Sequence, residues 1–362
     1  MDSPFEGLST GKAATRRAEL RELPGKIARL AVKEKVDIVL LAGDLLDSGS
    51  FFCETGEELF NVLRNLPFPV FIAPGNHDFY TGHSPYASAK LPSNVYVFTK
   101  NEIEYFDFSD CGFRVFGGGF TDRSSGSMLR NFRSRKKDGI LDVMCLHGEL
   151  VSGTAGSAES KYNPVTLQQL ADSNMDYVAL GHTHKASGLQ HVGRTWYSVP
   201  GCPEGRGFDE TGEKTVNIVE LDGEHCSLKA VPVSSRKYET IEVDITDREP
   251  SLAVQMALPD ETVRDIYRII LIGETDSAVN TTALYGALSQ YFFELELKDR
   301  THIRKNLWER AGENTLRGLF LTKMRSQYDR APDESSKLAV ESAVRWGLAA
   351  LDNREEVVRH EN

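Results

Sequence analysis

Four of the nine histidines in this 362-residue chain, His77, His147, His182 and His184, stand beside or close to glycine where apolar runs end. "LLAGDLLD" closes on Asp44 and Asp47, and "APGNHD" on Asn76, His77 and Asp78. "CLHGE" closes on His147 and Glu149, and "LGHTH" on His182 and His184. A lone Asp after Gly is ordinarily a turn residue or a cap, and a lone His at a strand end is ordinarily a satisfied side chain. Four such endings in series make a metal-ligating pattern. Each includes a glycine, which lets the backbone turn sharply and approach an ion. Imidazole, carboxylate and amide oxygen without thiolate suit Mn²⁺, Fe or Zn²⁺ better than Ca²⁺ or Mg²⁺. Asp44 is placed to bridge two ions. Two cations about 3.5–4 Å apart can activate a water and clamp both oxygens of an in-line phosphoryl displacement.

The elements that carry these residues read as buried strands. "VDIVLLAGD", "PVFIAPGNHD", "FRVFGGGF", "LDVMCLHGE", "MDYVALGHTH" and "RTWYSVPG" are apolar runs of strand length. Between the first two, "GEELFNVLRNL" has helical spacing. Ahead of them "TRRAELRELPGKIARLAVKEK" is helical, with Pro24 as an interruption. "KTVNIVELDG" and "CSLKAVPV" form a late hairpin pair. Early alternation of helix and strand predicts α/β, and the strand-rich continuation predicts a second sheet packed on the first. In an open α/β sheet the carboxyl ends of the strands face one crevice, so the four endings are expected to converge there. After about Tyr238 the character changes. Residues 241–325 read as a small α+β domain and 326–362 as a helical tail, following a main domain over 1–240.

Composition bounds the function. Apolar residues at 40% and charged residues at 26% describe an ordinary globular protein. No apolar run approaches the roughly 20 residues of a membrane span, and the N-terminus lacks the apolar core of a secretory leader. Cys53, Cys111, Cys145, Cys202 and Cys226 are an odd set without CxxC spacing. That predicts a reducing, cytoplasmic setting and argues against a disulfide framework or a thiolate zinc site. A formal net charge of −11 does not advertise nucleic-acid binding.

In this order, "GDLLD", "GNHD", "LHGE" and "GHTH" resemble the motifs of the calcineurin-like metallophosphoesterases. "DSPFEGL", "GHTHKASGLQ" and "WYSVPGCPEGRGFDETGEKTVNIVELD" are similar to the SbcD/YhaO-like DNA-repair exonuclease branch in particular. The resemblance covers most of residues 2–240. It implies a sandwich of two mixed β-sheets flanked by helices, with a small α+β capping domain and a helical C-terminal tail. It also implies roles. Asp44 bridges two divalent metals, with Mn most favoured and Fe or Zn as alternatives. Asn76, His147 and His182 complete the shell of the second metal, and His184 binds the first. His77 is not a ligand but steadies the phosphate or protonates the leaving oxygen, with Asp78 orienting its imidazole. Asp47 structures its loop.

The family normally begins with a strand ending in Asp-x-His, whose two side chains bind the first metal. Here the chain opens on "MDSPFEGL" without that strand. The expectation is an N-terminally shortened form whose first metal, left with Asp44 and His184, is weakly held or absent. For substrate, "MLRNFRSRKKDG" gathers Arg130, Arg133, Arg135, Lys136 and Lys137. Such a run is either a phosphate-binding patch or a solvated loop. Arg206 in "PEGRGFDE" is a further phosphate contact. The resemblance implies DNA as substrate and an SbcC-like coiled-coil ATPase as partner, docked on "LAVESAVRWGLAAL" or not, and leaves a homodimer open. The competing readings are a non-catalytic or impaired subunit of such a complex, and a phosphodiesterase for small nucleotides.

Overall fold

The computed structural model describes residues 5, 7–46, 53–88, 90–152, 160–275, 277–303 and 307–351. Asp47 and the end of the tail, 352–362, lie outside the described residues.

Helix α1 (Thr10–Glu34) opens on Ser9, whose side chain accepts from the Lys12 N–H, and closes on Lys35 in the left-handed region. It runs through Pro24 without a break, contrary to the expectation from sequence. Buried Leu20, Leu23 and Ala31 lie along it, and Arg16 is tied by ion pairs. Tertiary anchoring thereby outweighs the one N–H that proline removes.

Strand β1 (Val39–Leu41), helix α2 (Cys53–Arg64), strand β2 (Val70–Ile72), helix α3 (Pro85–Ser88) and strand β3 (Val95–Val97) follow. They give a parallel sheet of order β1-β2-β3. β2 is wholly buried, as its apolar run predicts, but β1 is only half-buried and ends the sheet among the described residues.

The second sheet is built from β4 (Glu104–Phe108), β5 (Phe113–Gly118), β6 (Leu141–His147), β9 (Tyr177–Gly181), β10 (Gly188–Val192) and β11 (Thr195–Val199), in the order β10-β11-β9-β6-β5-β4. Its outer pairs β4/β5 and β10/β11 are antiparallel, whereas β5, β6, β9 and β11 run parallel. Short strands β7 (Leu150–Val151) and β8 (Val165–Thr166) lead into α4 (Leu167–Ser173), which carries a full capping box between Thr166 and Gln169. Phe71, Ala73, Phe98, Val115, Val143, Cys145 and Tyr177 form one core cluster drawing on both sheets. This is the face-to-face packing of an α/β sandwich. The hairpin β12 (Thr215–Leu221) and β13 (Cys226–Pro232) pairs antiparallel and adds Val219, Leu221 and Cys226 to that cluster.

The remaining elements are β14 (Tyr238–Asp244), α5 (Pro250–Ala257), β15 (Ile266–Ile272), β16 (Glu274–Thr275), α6 (Thr281–Leu288), β17 (Glu294–Asp299), β18 (His302–Ile303), α7 (Leu316–Asp329) and α8 (Glu334–Leu351). β14, β15 and β17 form a three-stranded sheet. The chain divides into two compact units. One holds the chain up to Ile241 with Leu258–Ile269 and Gly286–Glu296, and the other holds Glu242–Ala257, Ile270–Tyr285 and the chain from Leu297. Among the described residues no helix is long and apolar enough to cross a membrane.

Candidate metal centre

The parallel strands deliver their carboxyl ends to one edge of the sandwich. β6 ends on His147, β9 ends just before His182, and Asp44 and Asn76 follow β1 and β2 within a few residues. Two glycines make the close approach feasible. A Cβ on Gly181 would stand 1.9 Å from the Ala42 carbonyl oxygen, and one on Gly43 would stand 2.7 Å from His147 Nδ1. Only hydrogen fits there.

His147 is at the centre and buried. Its Nδ1 lies 2.8 Å from the Ala42 carbonyl oxygen, which can only accept, so Nδ1 carries the proton and Nε2 presents a lone pair. Facing that lone pair are Asn76 Oδ1 at 3.0 Å, Asp44 Oδ2 at 3.3 Å and His182 Nδ1 at 3.3 Å. Asp44, His147 and His182 offer ligand atoms that all lie within 4.8 Å of one another. With their ring nitrogens unprotonated on that side, two imidazoles, a carboxylate and an amide oxygen can all offer electron pairs to one cation. The donor set therefore fits a divalent transition metal. Burial, then the neighbouring His147 ring, hold the His182 imidazole below its ordinary value, which keeps its nitrogen available as a ligand.

Asp44 and His182 hold positive φ, 54° and 84°. Non-glycine residues in that region cost of order 1–3 kcal/mol and persist where surroundings over-determine them. Asp78 does this for Asp44. Its buried carboxylate accepts from the N–H groups of Gly75 (2.6 Å), Asp44 (3.0 Å) and Leu45 (2.8 Å) and from the Tyr86 hydroxyl (2.5 Å). This corrects the sequence reading of Asp78. Its acceptor sites go to the loop after β1, the Gly75 turn and Tyr86, so it braces the turn that presents Asp44, and no bond joins it to the His77 imidazole. Burial, then the Asp44 carboxylate, push Asp78 above the ordinary carboxylate range, and its donors oppose them. Burial and Asp78 also raise Tyr86, which keeps the phenol protonated as a donor. His77 is exposed, and its N–H donates to Asp44 Oδ1 at 2.9 Å. Its main chain is thus tied to the cluster while the residue is open to solvent.

His184 is not gathered with the other four. Its Nδ1 lies 2.6 Å from Glu210 Oε1. Glu149, the other carboxylate after β6, accepts from the Ser160 hydroxyl at 2.5 Å. Arg206 is half-exposed and also reaches Glu210 Oε1, at 3.3 Å. Sequence reasoning missed Glu210, and its only signal was its place in the Gly-rich "PEGRGFDE" turn. It also missed Tyr162, whose ring stacks on His182 with centroids 5.1 Å apart.

The basic run lies elsewhere. Lys136 pairs with Asp176 and, at 3.8 Å, with Asp142. Arg114 binds Asp142 through Nε (2.9 Å) and Nη2 (2.8 Å), and its Nη2 also donates to the Arg135 carbonyl oxygen. Asp142 sits at the start of β6 and His147 at its end, roughly 17 Å apart along the strand. Arg133, Arg135 and Lys136 therefore stand at the end of the sheet opposite the metal cluster. Lys137 pairs with Asp107 at 3.1 Å. Of the two alternatives for this run, the placement of Arg135 and Lys136 favours a solvated loop over a phosphate contact at the metal cluster.

Comparison with known proteins agrees with the donor chemistry. Residues 15–186 match the family of calcineurin-like phosphoesterases. The chain is 29% identical over 272 residues to a protein of Bacillus subtilis (strain 168) described as an uncharacterized metallophosphoesterase, YhaO. That alignment covers 72% of this chain and 64% of the relative, so the chain spans less than two thirds of that protein's length.

Proposed function

We propose that this protein hydrolyses phosphodiester bonds in DNA, as the nuclease subunit of an SbcCD-like repair complex. The observation that carries the hydrolytic reading is the convergence of Asp44, Asn76, His147 and His182 on the His147 Nε2 lone pair. These four residues would hold a divalent cation, Mn²⁺ by preference. Such a cation supplies Lewis-acid polarisation of a phosphoryl oxygen and a nucleophile at neutral pH. His77, held through its N–H by Asp44, stands exposed beside that shell. There it stabilises the charge developing on phosphate or protonates the leaving oxygen. Arg206 offers a half-exposed guanidinium to a neighbouring phosphate. The partner is a coiled-coil ATPase of the SbcC type. It docks on α7 and α8, whose Leu316, Leu319, Leu338 and Trp346 are exposed apolar side chains.

One observation favours a second reading. A net charge of −11 opposes a polyanion, and suits a small nucleotide phosphodiester better. The test is hydrolysis by the full chain with added Mn²⁺ of linear duplex DNA, bis-p-nitrophenyl phosphate and cyclic nucleotides, alongside His77→Ala and His182→Ala. DNA cleavage that falls about 10²–10⁴-fold in His77→Ala with Mn²⁺ retained supports the proposal. Cleavage of small diesters alone selects the second reading. Mn²⁺ binding with no hydrolysis of any substrate marks a non-catalytic subunit. Undiminished Mn²⁺ binding by His182→Ala sinks the metal shell.

A further inference from the structure

Glu210 is a buried carboxylate whose side-chain partners are half-exposed. Its side chain is 3% exposed, whereas those of His184 and Arg206 are each 48% exposed. Oε1 takes His184 Nδ1 at 2.6 Å and Arg206 Nη2 at 3.3 Å, and Oε2 takes the Arg206 N–H at 2.8 Å. The segment that carries it is clamped. Glu204 binds Arg16 at 2.7 Å and the Ser235 N–H at 2.7 Å, and Arg16 also donates to the Gly205 carbonyl at 2.8 Å. The Glu210 N–H closes a turn on the Gly207 carbonyl at 3.0 Å. A Cβ on Gly205 would stand 2.8 Å from the Glu210 carbonyl oxygen. The His184 carbonyl accepts from the Cys202 N–H at 3.1 Å, so main chain and imidazole are both tied to this one segment.

Burying a carboxylate carries a desolvation penalty, and ion pairs to half-exposed partners return little of it. The arrangement thus adds little to stability. What it fixes is orientation. A carboxylate can only accept, so His184 donates from Nδ1 and its Nε2 is left with the lone pair.

We propose that Glu210 is a positioning residue. It locks His184 in the Nδ1–H tautomer, so that Nε2 ligates a second divalent cation, and it holds Arg206 beside that imidazole. The inference rests on the metal-dependent reading above. A carboxylate behind a ligating histidine fixes the ring and raises its basicity, and its loss typically lowers metal affinity 10–100-fold.

The test uses the full chain labelled with nitrogen-15 histidine, with the His184 signals assigned through a His184→Gln variant. At mildly alkaline pH and without metal, two-bond proton–nitrogen correlations should show His184 protonated at Nδ1. In Glu210→Ala the ring should lose that preference, and in Glu210→Gln, whose amide oxygen still accepts, it should keep most of it. Calorimetric titration with Mn²⁺ should give two binding events in the parent. The weaker should fall about 10–100-fold in Glu210→Ala, with the tighter unchanged. A parent His184 protonated at Nε2 overturns the proposal without any variant. So does a parent that binds one Mn²⁺ with an affinity His184→Gln leaves unaltered. Failure of DNA hydrolysis, with tautomer and titration as expected, would sink the nuclease reading and leave the role of Glu210 standing.

Discussion

Asp78→Asn separates a turn brace from a catalytic partner of His77. In the parent, Oδ1 accepts the Gly75 and Asp44 N–H groups, while Oδ2 accepts the Leu45 N–H and the Tyr86 hydroxyl. An asparagine oxygen can keep the first pair. Its NH₂ then faces the Leu45 N–H, donor against donor. The Tyr86 hydroxyl can rotate to accept from the new amide, but the Leu45 N–H is left unpaired. One orphaned buried donor costs about 1–3 kcal/mol, and weakening two charge-assisted bonds to neutral ones costs roughly 1 kcal/mol each. Removing a buried charge beside Asp44 offsets part of this, leaving a net loss of about 2–4 kcal/mol. At roughly 2–4 °C per kcal/mol for a unit of this size, the melting temperature should fall about 5–15 °C. Asp44, held at φ 54° by this carboxylate, should relax, and Mn²⁺ affinity should fall with it. Urea unfolding and calorimetric Mn²⁺ titration measure both. A variant of parental stability and Mn²⁺ affinity that loses turnover alone would refute the brace and restore Asp78 as the partner of the His77 imidazole.

Lys136→Ala strips the charge that faces Asp176 and Asp142 at the far end of β6, and should cost about 1–3 kcal/mol by urea unfolding. Any Mn²⁺-dependent hydrolysis should be unchanged, since this side chain stands away from the His147 end of β6. A large loss of cleavage at parental stability would return the basic run to the substrate path. Alkaline unfolding should expose Cys145, whose burial raises the thiol from 9.0 to about 12. The folded state prefers the protonated thiol, so its contribution is complete below pH 9.0 and is lost as pH rises toward about 12. Stability should fall by up to about 1.4 kcal/mol per pH unit across that window, and Cys145→Ala should have a shallower slope. Equal slopes would mean the thiol is not shielded.

Four side chains that converge in the fold were already marked by the sequence alone. Asp44, Asn76, His147 and His182 are legible because apolar runs ending in glycine and a ligand-type residue must, in parallel strands, finish at one edge. The same runs located most strands of both sheets and the β12/β13 hairpin. Tertiary structure alone decided what each side chain faces. Asp78 and His77 are neighbours in the chain, yet the Asp78 carboxylate turns to a loop that follows a different strand. Glu210 reaches His184 from a segment that Arg16 and Ser235 clamp at Glu204 and Gly205. The basic run could be a phosphate patch or a solvated loop by composition, and only the ion pairs of Lys136 with Asp142 and Asp176 place that side chain at the amino end of β6. Helix α1 passes Pro24 because burial and the Arg16 ion pairs outweigh a local preference. In each case the deciding term is a contact between segments distant in sequence, and local pattern carries no information about which loops the packing of two sheets will bring together.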